Sequence, residues 1–370
     1  MTRPTSLPAV AAATALLLSL SCGVSDSRAP QSEEGIVAKT EAISLETAAL
    51  AQWAPLVTLP IVPVSAANLP DGKVLLWSAE NRFSFGSNLG RTYTVLFDPA
   101  TNTATERLVS ETGHDMFCPG TANLADGRVL VNGGLSSGAT SIFNPTTGAW
   151  TTADTMNIPR AYQGTTPLAD GSVFTLGGSW AGGVGNKHGE VWTEAAGWRL
   201  LSGVRIDPFL SIDTTRNFGM DSHLWLLPAG NGRVFHAGPG FTMHWVDTNG
   251  AGSVLPIGPR GDDQFSINGS AVMFDIGKVL KVGGAPGYDG VTSNANSYVI
   301  ELGADVTVRK LQPMTYRRAF HNAVVLPNGQ VVVIGGATVA VGFSDNNSVL
   351  APELFDPLLS LIHISEPTRL

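Results

Sequence analysis

Residues 124–134 read LADGRVLVNGG. An Asp-Gly step stands between an apolar entry and an apolar run that ends in Gly-Gly. Asp-Gly flanked by alternating apolar residues is a strong local signal for a two-residue hairpin, because glycine takes the positive φ that the turn requires. The same pattern recurs as LPDGKVLLW (69–77), LADGSVFTLGG (168–178) and LPNGQVVVIGG (326–336). Looser copies are LPAGNGRVFHAG (227–238) and MFDIGKVLKVGG (273–284). The turn glycines are Gly72, Gly127, Gly171, Gly232, Gly277 and Gly329, spaced by 55, 44, 61, 45 and 52 residues.

A repeat near fifty residues with a Gly-Gly mark reads as a kelch-type blade. The fold class is therefore all-β, a kelch-type β-propeller with six blades present. Phe97-Asp98-Pro99, Phe143-Asn144-Pro145 and Phe355-Asp356-Pro357 fall between the markers and read as corners after a later strand, where proline ends pairing. Composition agrees. Of 370 residues, 43% are hydrophobic and only 14% charged, and 42 are glycine, which suits short strands and tight turns. The net charge is −8, so no basic footprint for nucleic acid exists. Two cysteines, Cys22 and Cys118, are too few for a disulfide framework.

Residues 1–22 read as an export leader: one arginine, an apolar run from Ala9 to Leu20, then Ser21-Cys22. The run is too short to span a bilayer. Small residues around Cys22 fit a bacterial lipoprotein signal, which places a lipid anchor at Cys22 and the protein at the cell envelope. A secretory signal cleaved slightly later is the alternative. Residues 23–45 read as a polar tether, and 46–357 as the propeller. Residues 358–370 are expected to be an aberrant tail that fits neither strand nor cap, so the chain is read as a shortened product. Cys118 is then the one cysteine of the folded body.

Cys118 lies nine residues before Gly127, and Tyr162 nine before Gly171. Equal offsets in consecutive repeats place both at the start of adjacent innermost strands, at one mouth of the channel, where sulfur and phenol ring can meet.

Gly113-His-Asp-Met-Phe-Cys-Pro-Gly120, Pro159-Arg-Ala-Tyr-Gln163 and Gly177-Gly-Ser-Trp-Ala-Gly-Gly183 resemble the galactose oxidase / glyoxal oxidase family of copper radical oxidases. Leu59-Pro-Ile-Val-Pro63, Ala237-Gly-Pro239 and Arg318-Ala-Phe-His321 extend the resemblance, which runs from about Trp53 to Pro357. The family is expected to have a seventh blade. The resemblance implies a Cys118–Tyr162 thioether radical cofactor and copper, with Tyr162 also a copper ligand through its phenolate. Phenolate and imidazole donors suit Cu(II). It implies that Trp180 stacks over the modified ring and shields it. The implied reaction oxidises a primary alcohol, carbohydrate or aldehyde with O₂ to give aldehyde or acid plus H₂O₂.

The resemblance also implies departures. The family's remaining copper ligands lie beyond the residues that match, and His363 takes no ligand role, so the chain as written is expected to be inactive. Phe85, Tyr288 and Phe343 fall at pocket positions. Asp289 replaces a sugar-contacting Gln, and Gly219 stands where the family has a sugar-binding Arg, with Arg216 close by. A lost bidentate anchor weakens selection for one sugar. His114, His223 and His321 are read as hydrogen-bonded structural residues, and Asp115 and Asp221 as turn or cap residues. The competing function is a non-catalytic secreted propeller that binds carbohydrate or protein. A sialidase-type propeller is disfavoured, because its Asp-box is absent from the sequence.

Overall fold

A computed structural model describes residues 55–213, 215–264 and 266–364. The leader 1–22, the tether 23–45 and the last six residues lie outside the described residues, so the readings placed there are not addressed by it.

Six four-stranded antiparallel sheets follow one another along the chain. Blade 1 is Ser65–Asn68, Val74–Trp77, Thr92–Asp98 and Thr103–Val109; blade 2 is Gly120–Asn123, Val129–Asn132, Thr140–Asn144 and Ala149–Ala153. Blade 3 is Gly164–Pro167, Val173–Leu176, His188–Thr193 and Gly197–Arg205; blade 4 is Trp225–Pro228, Arg233–Gly238, Thr242–Asp247 and Ser253–Pro259. Blade 5 is Ser270–Asp275, Lys278–Val282, Ser297–Leu302 and Val306–Lys310; blade 6 is Ala319–Val325, Val331–Ala337, Glu353–Asp356 and Leu361–Ile364. The first strand of each blade packs beside the first strand of the next. A two-stranded ribbon, Val291–Thr292 with Val339–Ala340, joins blades 5 and 6. The all-β propeller expected from the repeats is the fold observed.

The hairpin of 124–134 forms as its sequence dictates. Leu124 N–H donates to Arg128 O at 2.8 Å and Gly127 N–H to Leu124 O at 2.9 Å, with Gly127 at φ 87°. The Asp126 carboxylate accepts the Arg128 N–H at 3.0 Å and closes the turn. The same pair of backbone bonds recurs at Leu69/Lys73, Leu168/Ser172 and Leu326/Gln330. Identical local chemistry thus sets identical register in four blades.

Between turns, the apolar residues of each blade pack on the next blade. Trp77 and Val109 of blade 1 cluster with Val129, Val131, Phe143 and Trp150 of blade 2. Blades 2 and 3 share Leu130, Ile142, Val173, Trp192 and Trp198. Blades 3 and 4 share Phe174, Leu201, Val234 and Val246. Each fully buried aliphatic or aromatic side chain contributes about 1.5–3 kcal/mol, so these interfaces fix the relative position of the innermost strands.

One sequence expectation is corrected here. The sequence reading of the tail as fitting no strand does not hold: Leu361–Ile364 pairs antiparallel with Glu353–Asp356 as the outer strand of blade 6. The run Leu-Ile-His-Ile has enough β-branched character to extend an existing edge once blade 6 is in place.

Candidate active site

Cys118 and Tyr162 each stand two residues before their blade's first strand rather than on it. Both have left-handed backbone, φ 53° and 63°. This conformation is uncommon for residues with a side chain and turns both side chains across the channel mouth. The Tyr162 N–H donates to the Cys118 carbonyl oxygen at 3.0 Å. The thiol and the phenol lie close enough to influence each other's ionisation. Burial pushes the Cys118 thiol up to about 12 and raises the Tyr162 phenol further above its ordinary range. Both groups are therefore protonated at neutral pH in the unmodified chain.

The surroundings are aromatic. Trp180 meets Tyr162 at 5.2 Å between centroids and 87° between planes. The expectation that Trp180 stacks over the ring is thus corrected: the two rings meet edge to face. The flat contact belongs instead to Phe218, 6.0 Å away at 17°. His223 sets its ring edge-on to Tyr162 at 4.9 Å. Tyr288 lies 6.3 Å from Tyr162 and 5.5 Å from Phe320. On the outer side, Phe85 stacks on Phe117 at 3.9 Å, and Phe343 tilts against Phe85 at 4.9 Å. Phe343 is 74% exposed and forms the rim. The structure therefore brings Phe85, Tyr288 and Phe343 into one wall with Cys118, Tyr162 and Trp180, through the intervening Phe117.

Asp289 sits at the same mouth and accepts a 2.7 Å bond from Arg216 Nη2. A buried acid positions both loops. Asp213 Oδ1 accepts the Thr215 N–H and hydroxyl, each at 2.7 Å, while its Oδ2 accepts the Tyr288 N–H at 3.0 Å. The same Oδ2 lies 2.0 Å from where a Cβ on Gly219 would stand. No side chain fits at residue 219, and Arg216 supplies the cation from one turn earlier.

The histidines divide. His114 is buried between Ser141 Oγ (2.9 Å) and Gly133 O (2.8 Å), as expected of a structural residue. His223 has surface exposed at the mouth and sets its ring against Tyr162 and Tyr288. His321 is buried against Gly283. Asp115 accepts the Phe117 N–H at 3.3 Å, a turn role, but it is also wholly buried beside the Glu80 carboxyl. Asp221 grips Ser179 rather than capping its own turn.

Phe117, Phe218 and Phe320 are not singled out by the sequence as mouth residues. A signal for some of them was present. His223, Asn268 and Phe320 stand nine residues before Gly232, Gly277 and Gly329, the offset of Cys118 and Tyr162. All five have φ between 52° and 63°. His223 N–H donates to Tyr162 O at 2.7 Å and Phe320 N–H to Asn268 O at 2.8 Å, which repeats the Cys118–Tyr162 link around the mouth.

The donor set bears on metal binding. Among the described residues no group of three or more His, Cys, Asp or Glu side chains comes together. Tyr162 offers one hard oxygen donor; the described residues do not complete a copper site by themselves.

No family model matches the chain. Two curated galactose oxidases of Gibberella zeae are each 36% identical over 334 residues, covering 87% of this chain and 49% of those proteins. A solved structure described as a novel fungal alcohol oxidase of the AA5 family, in complex with copper, superposes with a TM-score of 0.81 at 38% identity. It is matched over 86% of this chain and 68% of its own. The chain belongs to the galactose oxidase family. It spans about half the length of the curated galactose oxidases it matches. The rim of this chain carries the Arg216–Asp289 pair and the side-chain-free Gly219.

Proposed function

We propose that this chain carries the radical-forming propeller of an exported copper radical oxidase, which oxidises a primary alcohol with O₂ to an aldehyde and H₂O₂. The observation that carries this reading is the meeting of the Cys118 thiol with the Tyr162 phenol. A binding propeller has no need of a half-buried thiol held beside a phenol by two left-handed residues. Forming the thioether breaks the S–H bond and one ring C–H bond of Tyr162 and makes one S–C bond. Two electrons and two protons leave to O₂ as H₂O₂.

In this reading Trp180 keeps water from the modified ring, and Phe117 backs Trp180 from the side of Phe85. The sulfur-substituted phenol of Tyr162 then holds one oxidising equivalent. Copper would supply the second one-electron couple, and Tyr162 is the residue described here that would bind it. The aromatic wall accommodates the carbon chain of the alcohol. Arg216 and Asp289 offer hydroxyls one donor and one acceptor group, so carbohydrate is one class of substrate and an aldehyde a second. The leader at 1–22 supports export, with the Cys22 lipid anchor as its envelope-bound form.

The test uses protein expressed from the full reading frame with copper. Peptide mapping after thiol reduction is expected to return Cys118 and Tyr162 on one cross-linked species, two hydrogens lighter than the separate peptides. Peroxide should appear with primary alcohols. Separate peptides together with no peroxide from any primary alcohol would sink the proposal.

A further inference from the structure

We propose that Lys187 is a positioning residue, whose ammonium group holds the Trp180 loop against Tyr162. Lys187 stands immediately before the third strand of blade 3 and is 5% exposed. Its Nζ donates to three backbone carbonyls. They are Gly178 O at 2.8 Å, Pro159 O at 3.3 Å and Ala181 O. Gly178 and Ala181 bracket Ser179 and Trp180. Pro159 opens the segment that ends at Tyr162. A single cation thus ties both shoulders of the Trp180 loop to the approach of Tyr162.

The loop needs such a tether. It is built from Gly177, Gly178, Gly182 and Gly183 around Trp180, and glycine leaves the backbone free to choose among conformations. The opposite side is held by Asp221, whose two carboxylate oxygens accept the Ser179 N–H (2.9 Å) and hydroxyl (2.6 Å). The edge contact of Trp180 on Tyr162 is therefore a product of two buried side chains from outside the loop.

The charges facing Lys187 are Asp221, which favours its protonation, and Arg160, which opposes it and is itself paired with Glu190 at 3.1 Å. Arg205 and Asp207 pair with each other at the exposed side. Burial outweighs these and lowers Lys187 to about 8. A neutral amine has two N–H groups and cannot serve three carbonyls. Deprotonation therefore releases one arm of the clasp.

The functional consequence rests on reading Trp180 as the shield of Tyr162; the clasp itself is tested without copper or turnover. The near-ultraviolet circular dichroism of the full chain minus that of its Trp180→Phe variant isolates the Trp180 band. This band is expected to change between pH 7 and pH 9, with a midpoint about 8. Lys187→Arg, which stays charged, should keep the pH 7 band throughout. Lys187→Met should show the high-pH band at every pH. A band that is flat from pH 6.5 to 9.5 in the parent chain overturns the proposal, as does a Lys187→Met protein with the parent's neutral band. If Lys187→Met fails to fold, the parent titration and Lys187→Arg decide the matter. A flat band leaves the oxidase reading standing, whereas a missing thioether and missing peroxide leave the clasp standing.

Discussion

The backbone N–H of Tyr162 donates to the carbonyl oxygen of Cys118 at 3.0 Å, and both residues are left-handed. The bond crosses from blade 3 to blade 2. It sets the distance between thiol and phenol by main-chain geometry, before any side-chain contact contributes.

That geometry depends on a missing side chain two residues on. A Cβ on Gly120 would stand 2.0 Å from Thr165 Oγ1 and 2.7 Å from Asn132 Oδ1. Gly120→Ala is expected to push the first strands of blades 2 and 3 apart and to destabilise the protein by about 1–3 kcal/mol. The fraction of cross-linked Cys118–Tyr162 peptide should fall with it. Urea unfolding and peptide mapping check both; unchanged cross-linking in a destabilised Gly120→Ala protein would show that the strand spacing does not set the contact.

Asp115 gives a prediction about pH. Burial first, and the Glu80 carboxyl second, raise its folded value above the ordinary carboxylate range. The folded state then keeps a proton that the unfolded chain releases, so this group's contribution is full at low pH and is lost as pH rises through the raised value. Asp115→Asn cannot ionise and can donate to Glu80. Its melting temperature is expected to match the parent near pH 4 and to exceed it at pH 8. Parallel melting curves at both values would contradict the assignment.

The buried histidines work in the other direction. Burial lowers His114 and His244 to about 4 and His321 to about 3, from 6.5 in the unfolded chain. Unfolding below pH 6.5 therefore takes up protons, and stability falls as pH drops toward 4. His114 alone accounts for roughly 3 kcal/mol of this loss. Calorimetry in buffers of different ionisation enthalpy reads the uptake, expected to be about two and a half protons at pH 4.5 from these groups, reduced by the opposing release at Asp115.

Arg160 and Glu190 form an ion pair with both side chains fully buried, and the Asn157 and Ile158 N–H groups also point at the carboxylate. Blade 6 repeats the device with Arg318 and Glu353, fed by Thr315 and Tyr316. Removing one partner strands a buried charge, so Arg160→Met is expected to cost about 3–5 kcal/mol. Arg160→Met with Glu190→Gln should recover part of that. Denaturant midpoints of the two variants provide the check, and equal midpoints would mean that the carboxylate is not the source of the loss.

At the rim the balance is different. Arg216 and Asp289 side chains are 53% and 30% exposed, so their pairing contributes at most about 1 kcal/mol to stability. Asp289→Ala should leave the melting temperature nearly unchanged. In the active oxidase it should shift KM for hydroxyl-rich alcohols by about tenfold, the scale of one charge-assisted hydrogen bond, with little change for simple alcohols. An equal shift for both classes would remove the pair from substrate contact.

Much of this was legible in the sequence, and the reason is local. Gly127 and its counterparts take positive φ in hairpins whose hydrogen bonds span four residues, so the repeats and the blade count follow from neighbouring residues alone. The equal offsets of Cys118 and Tyr162 survive for the same reason, because register within a blade counts outward from its turn. What the tertiary structure decided lies between blades. The edge-on approach of Trp180, the flat contact of Phe218, the filling of Gly219's space by Asp213, and the grip of Lys187 and Asp221 on one glycine-rich loop all join residues from separate strands or blades. Such contacts depend on how buried faces such as Trp77 on Phe143 settle against each other, and on which carbonyls a buried cation then finds within reach. Local φ preferences and turn spacing carry no record of either.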